Sequence, residues 1–166
     1  MTIKKLFQLF VIIALISCNQ TNQNQSVIKN DDELTSNIEL LFDKYLENKW
    51  DGSELYAEDV VCKINNLEFS GRDNLMKGFK DHHDFLYDNI AIKEMKVYTT
   101  YFADGETWSN AWFTWTGTGK TTGNDYSNRG HFDYKWEDGK IVELLAYYSE
   151  DAGNTEAAAY AATQQE

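Results

Sequence analysis

Apolar positions along this chain change their period near residue 90. In the first half they recur at helical spacing. Leu34, Ile38, Leu41, Phe42, Tyr45 and Leu46 form one stripe. Asn30, with Glu33 three residues on, has the form of a capping box, and Trp50-Asp51-Gly52 supplies a stop. Ser53 is placed to cap a short second helix through Leu55, Tyr56 and Ala57, and 60–64 is a brief β-rich run. Ser70-Gly71-Arg72-Asp73 opens a third helix with Leu75, Met76, Phe79 and Leu86 as its apolar positions. Residues then alternate, and 94–102, 107–116, 126–136 and 141–149 read as strands. Asp138-Gly139 between two β-rich runs predicts a tight hairpin, because that turn needs positive φ at its centre.

Within 126–136, Tyr126, Asn128, Gly130, Phe132, Tyr134 and Trp136 share one face, read as the inner one. Arg129, His131, Asp133 and Lys135 share the other. Strand 107–116 has rings on both faces: Trp108 and Trp112 on one, Phe113 and Trp115 on the other. Helices followed by an antiparallel meander predict an α+β domain.

The first residues read as an address. Lys4-Lys5 precede an apolar run, 6–16, that is too short to span a bilayer as a helix. It ends in Leu15-Ile16-Ser17-Cys18, which resembles the lipobox of bacterial lipoproteins. The resemblance implies a lipidated Cys18 as the mature N-terminus, and thus a lipid-anchored protein of the bacterial cell envelope. Asn19, where Asp could stand, points to the outer membrane by analogy with enterobacterial sorting. The expected organisation is a signal peptide at 1–17, the lipidated Cys and a polar tether at 18–30, a domain at 31–150 and a flexible tail at 151–166. Cys62, the only other cysteine, reads as a small core residue.

Composition narrows the partners. A net charge of −12 argues against nucleic acid and against adhesion to anionic lipid through a basic patch. An aromatic share of 14% predicts a core and any cavity rich in rings. No set of metal ligands is spaced for a site, since His82 and His83 diverge by about 100° on a helix, and no cofactor is implied. Gly117-Thr118-Gly119-Lys120-Thr121 lacks the further Gly and the following helix of a phosphate-binding loop.

The order of elements resembles the nuclear transport factor 2-like superfamily, in particular its SnoaL-like members. The matching pieces are the first helix with Tyr45, then Tyr56-Ala57-Glu58-Asp59-Val60, then Phe69-Ser70-Gly71-Arg72-Asp73, then Gly130-His131-Phe132 through Trp136-Glu137-Asp138-Gly139-Lys140-Ile141 to Tyr148. The resemblance implies a cone-shaped, curved antiparallel sheet wrapped around N-terminal helices (a cystatin-like arrangement) with a pocket inside. Ketosteroid isomerase, an enzyme of the superfamily, uses a Tyr and an Asp as donors to an oxyanion and a second Asp as base. Those positions fall on Tyr45, on Gly130 and near Ile64 or Asn65, so only the Tyr is matched.

Comparison with the isomerase puts the Trp112 row inward, and Phe113 and Trp115 on the convex face with Leu145 and Tyr147, where a homodimer would cover them. The expected pocket is lined by Tyr45, Tyr56, Trp112, Tyr126, Asn128, Phe132, Tyr134 and Tyr148, and suits a small, neutral, largely apolar ligand. One alternative is a lyase, isomerase or cyclase on a carbonyl compound, using Tyr45 with His83 or His82. The other is a non-catalytic interaction module of the envelope.

Overall fold

A computed structural model describes residues 25–165. Residues 1–17 and Cys18 lie outside that range. Seven strands form one curved sheet in the order β1-β4-β5-β6-β7-β2-β3. In chain order they are β1 (Val27–Lys29), β2 (Tyr56–Ile64), β3 (Leu67–Ser70), β4 (Tyr87–Tyr101), β5 (Thr107–Gly119), β6 (Asp125–Glu137) and β7 (Lys140–Tyr147). Three α-helices accompany them: α1 (Glu33–Leu46), α2 (Arg72–Asp81) and α3 (Asp151–Thr163). All neighbouring strands are antiparallel except β2 and β7, which run parallel. The family-like cone is therefore a mixed sheet.

Helix α1 lies in the concavity with Ile38 and Phe42 buried. Its cap is Asp32, not Asn30. One carboxylate oxygen accepts the Thr35 amide at 2.9 Å and the other accepts the Tyr101 hydroxyl at 2.5 Å. The Asp32 cap thus also ties the helix to the sheet, which a local sequence signal does not reveal. A buried seam of hydroxyls adds to this tie. Thr35 Oγ1 is 3.0 Å from Thr99 Oγ1, Thr99 Oγ1 is 2.8 Å from Ser109 Oγ, and Trp136 Nε1 donates to Ser109 at 2.8 Å. Each hydroxyl of this seam is partnered, so these polar atoms are tolerated in the core.

Strand β4 begins at Tyr87, well before the expected 94. Asn89 and Glu94 sit at φ of 53° and 54°, and the β4–β5 register shifts beside each. These bulges interrupt the alternation, which hides the strand from a period-two reading, and they bend it around α1. Helix α2 correspondingly stops at Asp81 and gives way to a π-helical turn, His82–Leu86. The β6–β7 hairpin is as expected: Glu137 pairs with Lys140, and Asp138 and Gly139 take φ of 49° and 74°.

Three further expectations are corrected. The rows of β5 are reversed. Phe113 pairs with Gly130 and Trp115 with Asn128, while Trp112 pairs with His131. Directly paired residues share a face, so the inner row of β6 draws Ala111, Phe113 and Trp115 inward. Gly130 makes this possible, since a Cβ there would lie 2.5 Å from the Phe113 ring. Trp112 is 50% exposed and stacks on His131 at 4.3 Å. A homodimer through the convex face would therefore use Trp112, His131, Leu145 and Tyr147, without Phe113 or Trp115.

The second correction concerns 151–166. Within it, Asp151–Thr163 is a docked helix, not a flexible tail, and its Glu156 is fully buried. The third concerns the tether, whose last residues Val27–Lys29 pair with the end of β4.

Candidate functional site

Between α1, α2 and the inner face of the sheet lies a cavity of about 310 Å³. Six of the eight expected residues line it: Tyr45, Tyr56, Asn128, Phe132, Tyr134 and Tyr148. Two do not. Trp112 points outward for the reason of register given above. Tyr126 points inward but beyond the cavity, and its hydroxyl donates to Glu156 at 2.8 Å. Trp115 and Phe113 take up the inward wall that the sequence reading gave to Trp112. The clue was in the register: Gly130 on the inner row of β6 calls for a large partner opposite.

Tyr45 carries two hydrogen-bond contacts on its hydroxyl within the cavity. It stands on the last turn of α1, with its ring edge-on to Phe79 and His83 at 5.6 and 4.9 Å. Its hydroxyl accepts from Trp115 Nε1 at 3.1 Å and lies 3.1 Å from His82 Nδ1. The π-helical turn brings His82 to this position, so His82, not His83, is the histidine that meets Tyr45 in the cavity. The His83 ring instead lies between Tyr45 and Trp50, and its Nε2 has no partner among the described residues.

Burial sets the protonation of this pair. It pushes the Tyr45 phenol above its ordinary range, despite the hydrogen bond from Trp115. It pushes His82 down to about 4, with His83 adding to the effect. Both groups are neutral near pH 7. With Trp115 donating to Tyr45, the Tyr45 proton can go to His82 Nδ1, which leaves the His82 proton on Nε2. The arrangement suits holding and orienting a neutral polar group. Strong base catalysis is not suggested, because a histidine at about 4 has low proton affinity.

The other isomerase-like positions are apolar or occupied. Ile64 lines the cavity, and the Asn65 amide donates to the Tyr148 carbonyl at 2.9 Å. At Gly130 the space belongs to Phe113. Charged side chains occur only toward the mouth: Lys44, Lys49, Asp51 and Glu150. The two lysines there are already engaged, with Glu47 Oε2 at 3.5 and 3.0 Å. Cys62 is buried in the core, and burial raises its thiol to about 12, so it is not a nucleophile.

The C-terminal segment forms part of the cavity wall through Ser149, Glu150, Gly153 and Asn154, which the sequence reading missed. Asn128 holds this segment, donating from Nδ2 to the Ser149 carbonyl at 3.1 Å. Helix α3 is then fixed by Glu156, gripped by the loop between β5 and β6. Its carboxylate accepts from the amides of Thr121 and Thr122 at 3.1 and 3.4 Å, from Tyr126 OH, and from Thr122 Oγ1. A Cβ on Gly119 would overlap this carboxylate. The glycine- and threonine-rich loop does hold an anion through its amides, but the anion is the chain's own.

Residues 42–144 match the family model described as a SnoaL-like domain. No curated protein matches the chain. Several solved structures share the fold. A candidate polyketide cyclase from Xanthomonas campestris is 20% identical with a TM-score of 0.61, covering 74% of this chain and 94% of its own. A candidate isomerase from Bacillus subtilis is 18% identical with a TM-score of 0.60, covering 75% and 91%. A protein of ketosteroid isomerase-like fold from Catenulispora acidiphila, in complex with trimethylamine, is 14% identical with a TM-score of 0.55, covering 74% and 92%. With the family match extending over more than half its length, this chain belongs to the SnoaL-like family.

Proposed function

We propose that this protein is a lipid-tethered binder of a small, neutral, largely apolar molecule, held in the conical cavity. The observation that carries the reading is the composition of the cavity wall. Rings from Tyr45, Tyr56, Phe113, Trp115, Phe132 and Tyr134 surround about 310 Å³, and the charged groups stay at the mouth. Flat apolar faces with single polar tips bind ring compounds and orient them through few hydrogen bonds. An anionic ligand would find no unengaged cation deep in the cavity.

Titration of the purified protein with neutral bicyclic compounds should give a saturable change in tryptophan fluorescence. Trp115→Phe should remove most of that change, and glucose 6-phosphate should give none. Tight binding of the sugar phosphate with no response to the neutral compounds would overturn the reading.

A second reading is a lyase, isomerase or cyclase on a carbonyl compound. The 3.1 Å contact between Tyr45 and His82 favours it, as a neutral pair able to hold a carbonyl oxygen. The fold neighbours named as cyclase and isomerase are compatible with it, but no carboxylate stands where the isomerase base would be.

The tether rests on the lipobox-like Leu15-Ile16-Ser17-Cys18 and the polar residues after it. Mass spectrometry of protein from bacterial membranes should find acyl chains on Cys18. Cys18→Ser should move the protein out of the membrane fraction. A mature N-terminus elsewhere, without acyl chains, would show the address to be misread.

A further inference from the structure

Two deeply buried phenols of the cavity differ from the paired hydroxyls of the seam under α1. They lie apart from Tyr87, a third buried phenol without a partner among the described residues, which packs against His82 and Trp115. Tyr56 and Tyr134 are only 3% and 2% exposed, and both line the cavity. The buried hydroxyls of Thr35, Thr99 and Ser109 are all paired. Neither the Tyr56 nor the Tyr134 hydroxyl has a hydrogen-bond partner among the described residues. Neither is sealed off from the cavity, in contrast to the orphaned ring nitrogen of His83. A buried phenol without a partner is unfavourable, so its partner is expected to come from what fills the space.

The two groups belong together and lie away from Tyr45. Tyr134 stands opposite Ser109 on β6, six residues along the strand from Asn128, which pairs with Trp115 beside Tyr45. Tyr56 opens β2 and pairs with Ile141, which pairs with Trp136, two residues along β6 from Tyr134, and both phenols belong to the same buried cluster. Burial holds both phenols protonated, so both remain donors near pH 7. Two neutral donors at one end of an apolar cavity match one oxygen with two lone pairs.

We infer that Tyr56 and Tyr134 form a second polar subsite, which takes the carbonyl oxygen of a neutral ring compound at the end of the cavity away from Tyr45 and His82. This rests on the cavity being a ligand site, as proposed above. It adds a requirement on the ligand: an uncharged acceptor oxygen must lie on the ring system.

The test compares 1-tetralone with tetralin, which lacks only the carbonyl, by calorimetry and tryptophan fluorescence. The wild-type protein should bind the ketone about tenfold more tightly, the scale of one or two neutral hydrogen bonds. The Tyr56→Phe/Tyr134→Phe double variant should bind both compounds with the affinity the wild type has for tetralin. Its thermal stability should be unchanged or higher, because no protein hydrogen bond is lost. Equal affinities in the wild type, or a ketone preference that survives in the double variant and disappears in Tyr45→Phe, would overturn the subsite while leaving the cavity a binding site. Failure of both compounds to saturate would overturn the cavity reading and the subsite with it.

Discussion

Replacing Glu156 with alanine should release α3 from the sheet. The helix is alanine-rich and has no apolar stripe. Besides Glu156, only Ala152 is buried, and Tyr160 meets Phe85 at 5.5 Å. The carboxylate is shut off from solvent just beneath the surface, under the helix and the loop that grips it. Burial alone would raise its pKa. The hydrogen bonds from Thr122, Tyr126 and the two loop amides outweigh that and leave it below the ordinary range. Hydrogen bonds to a charged group contribute about 1.5–3 kcal/mol each, and they are not additive. Loss of the set should shift docking of α3 by about 3 kcal/mol, or roughly two orders of magnitude in population. Hydrogen exchange should then show amides 154–163 near the unprotected rate, while β5 and β6 stay protected. Gly119→Ala should act in the same direction by displacing the carboxylate. Full protection of α3 in Glu156→Ala would mean that some other contact holds the helix.

The second large effect is loss of stability in mild acid, traceable to His82. In the folded protein burial holds this histidine at about 4, against an ordinary 6.5 once unfolded. As pH falls from about 6.5 towards 4, the unfolded chain takes a proton that the folded chain refuses, so stability falls with pH in that window. The full difference corresponds to about 3 kcal/mol. His83, also lowered by burial, adds in the same direction. The carboxylates Asp32 and Glu156, whose folded values are depressed, act at lower pH. The slope between pH 6.5 and 5 therefore belongs to the histidines. His82→Gln should flatten most of it in urea denaturation, with little change at pH 8. Superimposable acid profiles for variant and wild type would remove His82 from the account.

The fold was legible wherever period and turn chemistry agreed. The α1 stripe, the inner row of β6 and the Asp138-Gly139 turn all follow from local rules. The bulged start of β4 was not, because Asn89 and Glu94 break the alternation by which a strand is recognised. Most of the cavity wall could be read from the parity of β6. The β5 contribution could not be read from its own residues, since Trp112 and Phe113 look equally suited to an interior. The cross-strand register against Gly130 and Asn128 decides between them, and register is a tertiary fact. Helix α3 escaped for a different reason. It docks through one buried acid, and an isolated glutamate in an alanine-rich segment gives no periodic signal. His82 was separated from His83 only by the π-helical turn, which rotates the pair away from the spacing of α2.

The central claim is that the aromatic cavity is a binding site for a small neutral molecule. A crystal structure of the protein soaked with 1-tetralone tests it most directly. The account predicts ligand density inside the cavity, between the Tyr45–His82 pair and the Tyr56 and Tyr134 hydroxyls, with the Trp115 and Phe132 rings against it. A cavity closed by its own rings, or ligand found only against the exposed Trp112 on the outer face, would contradict it.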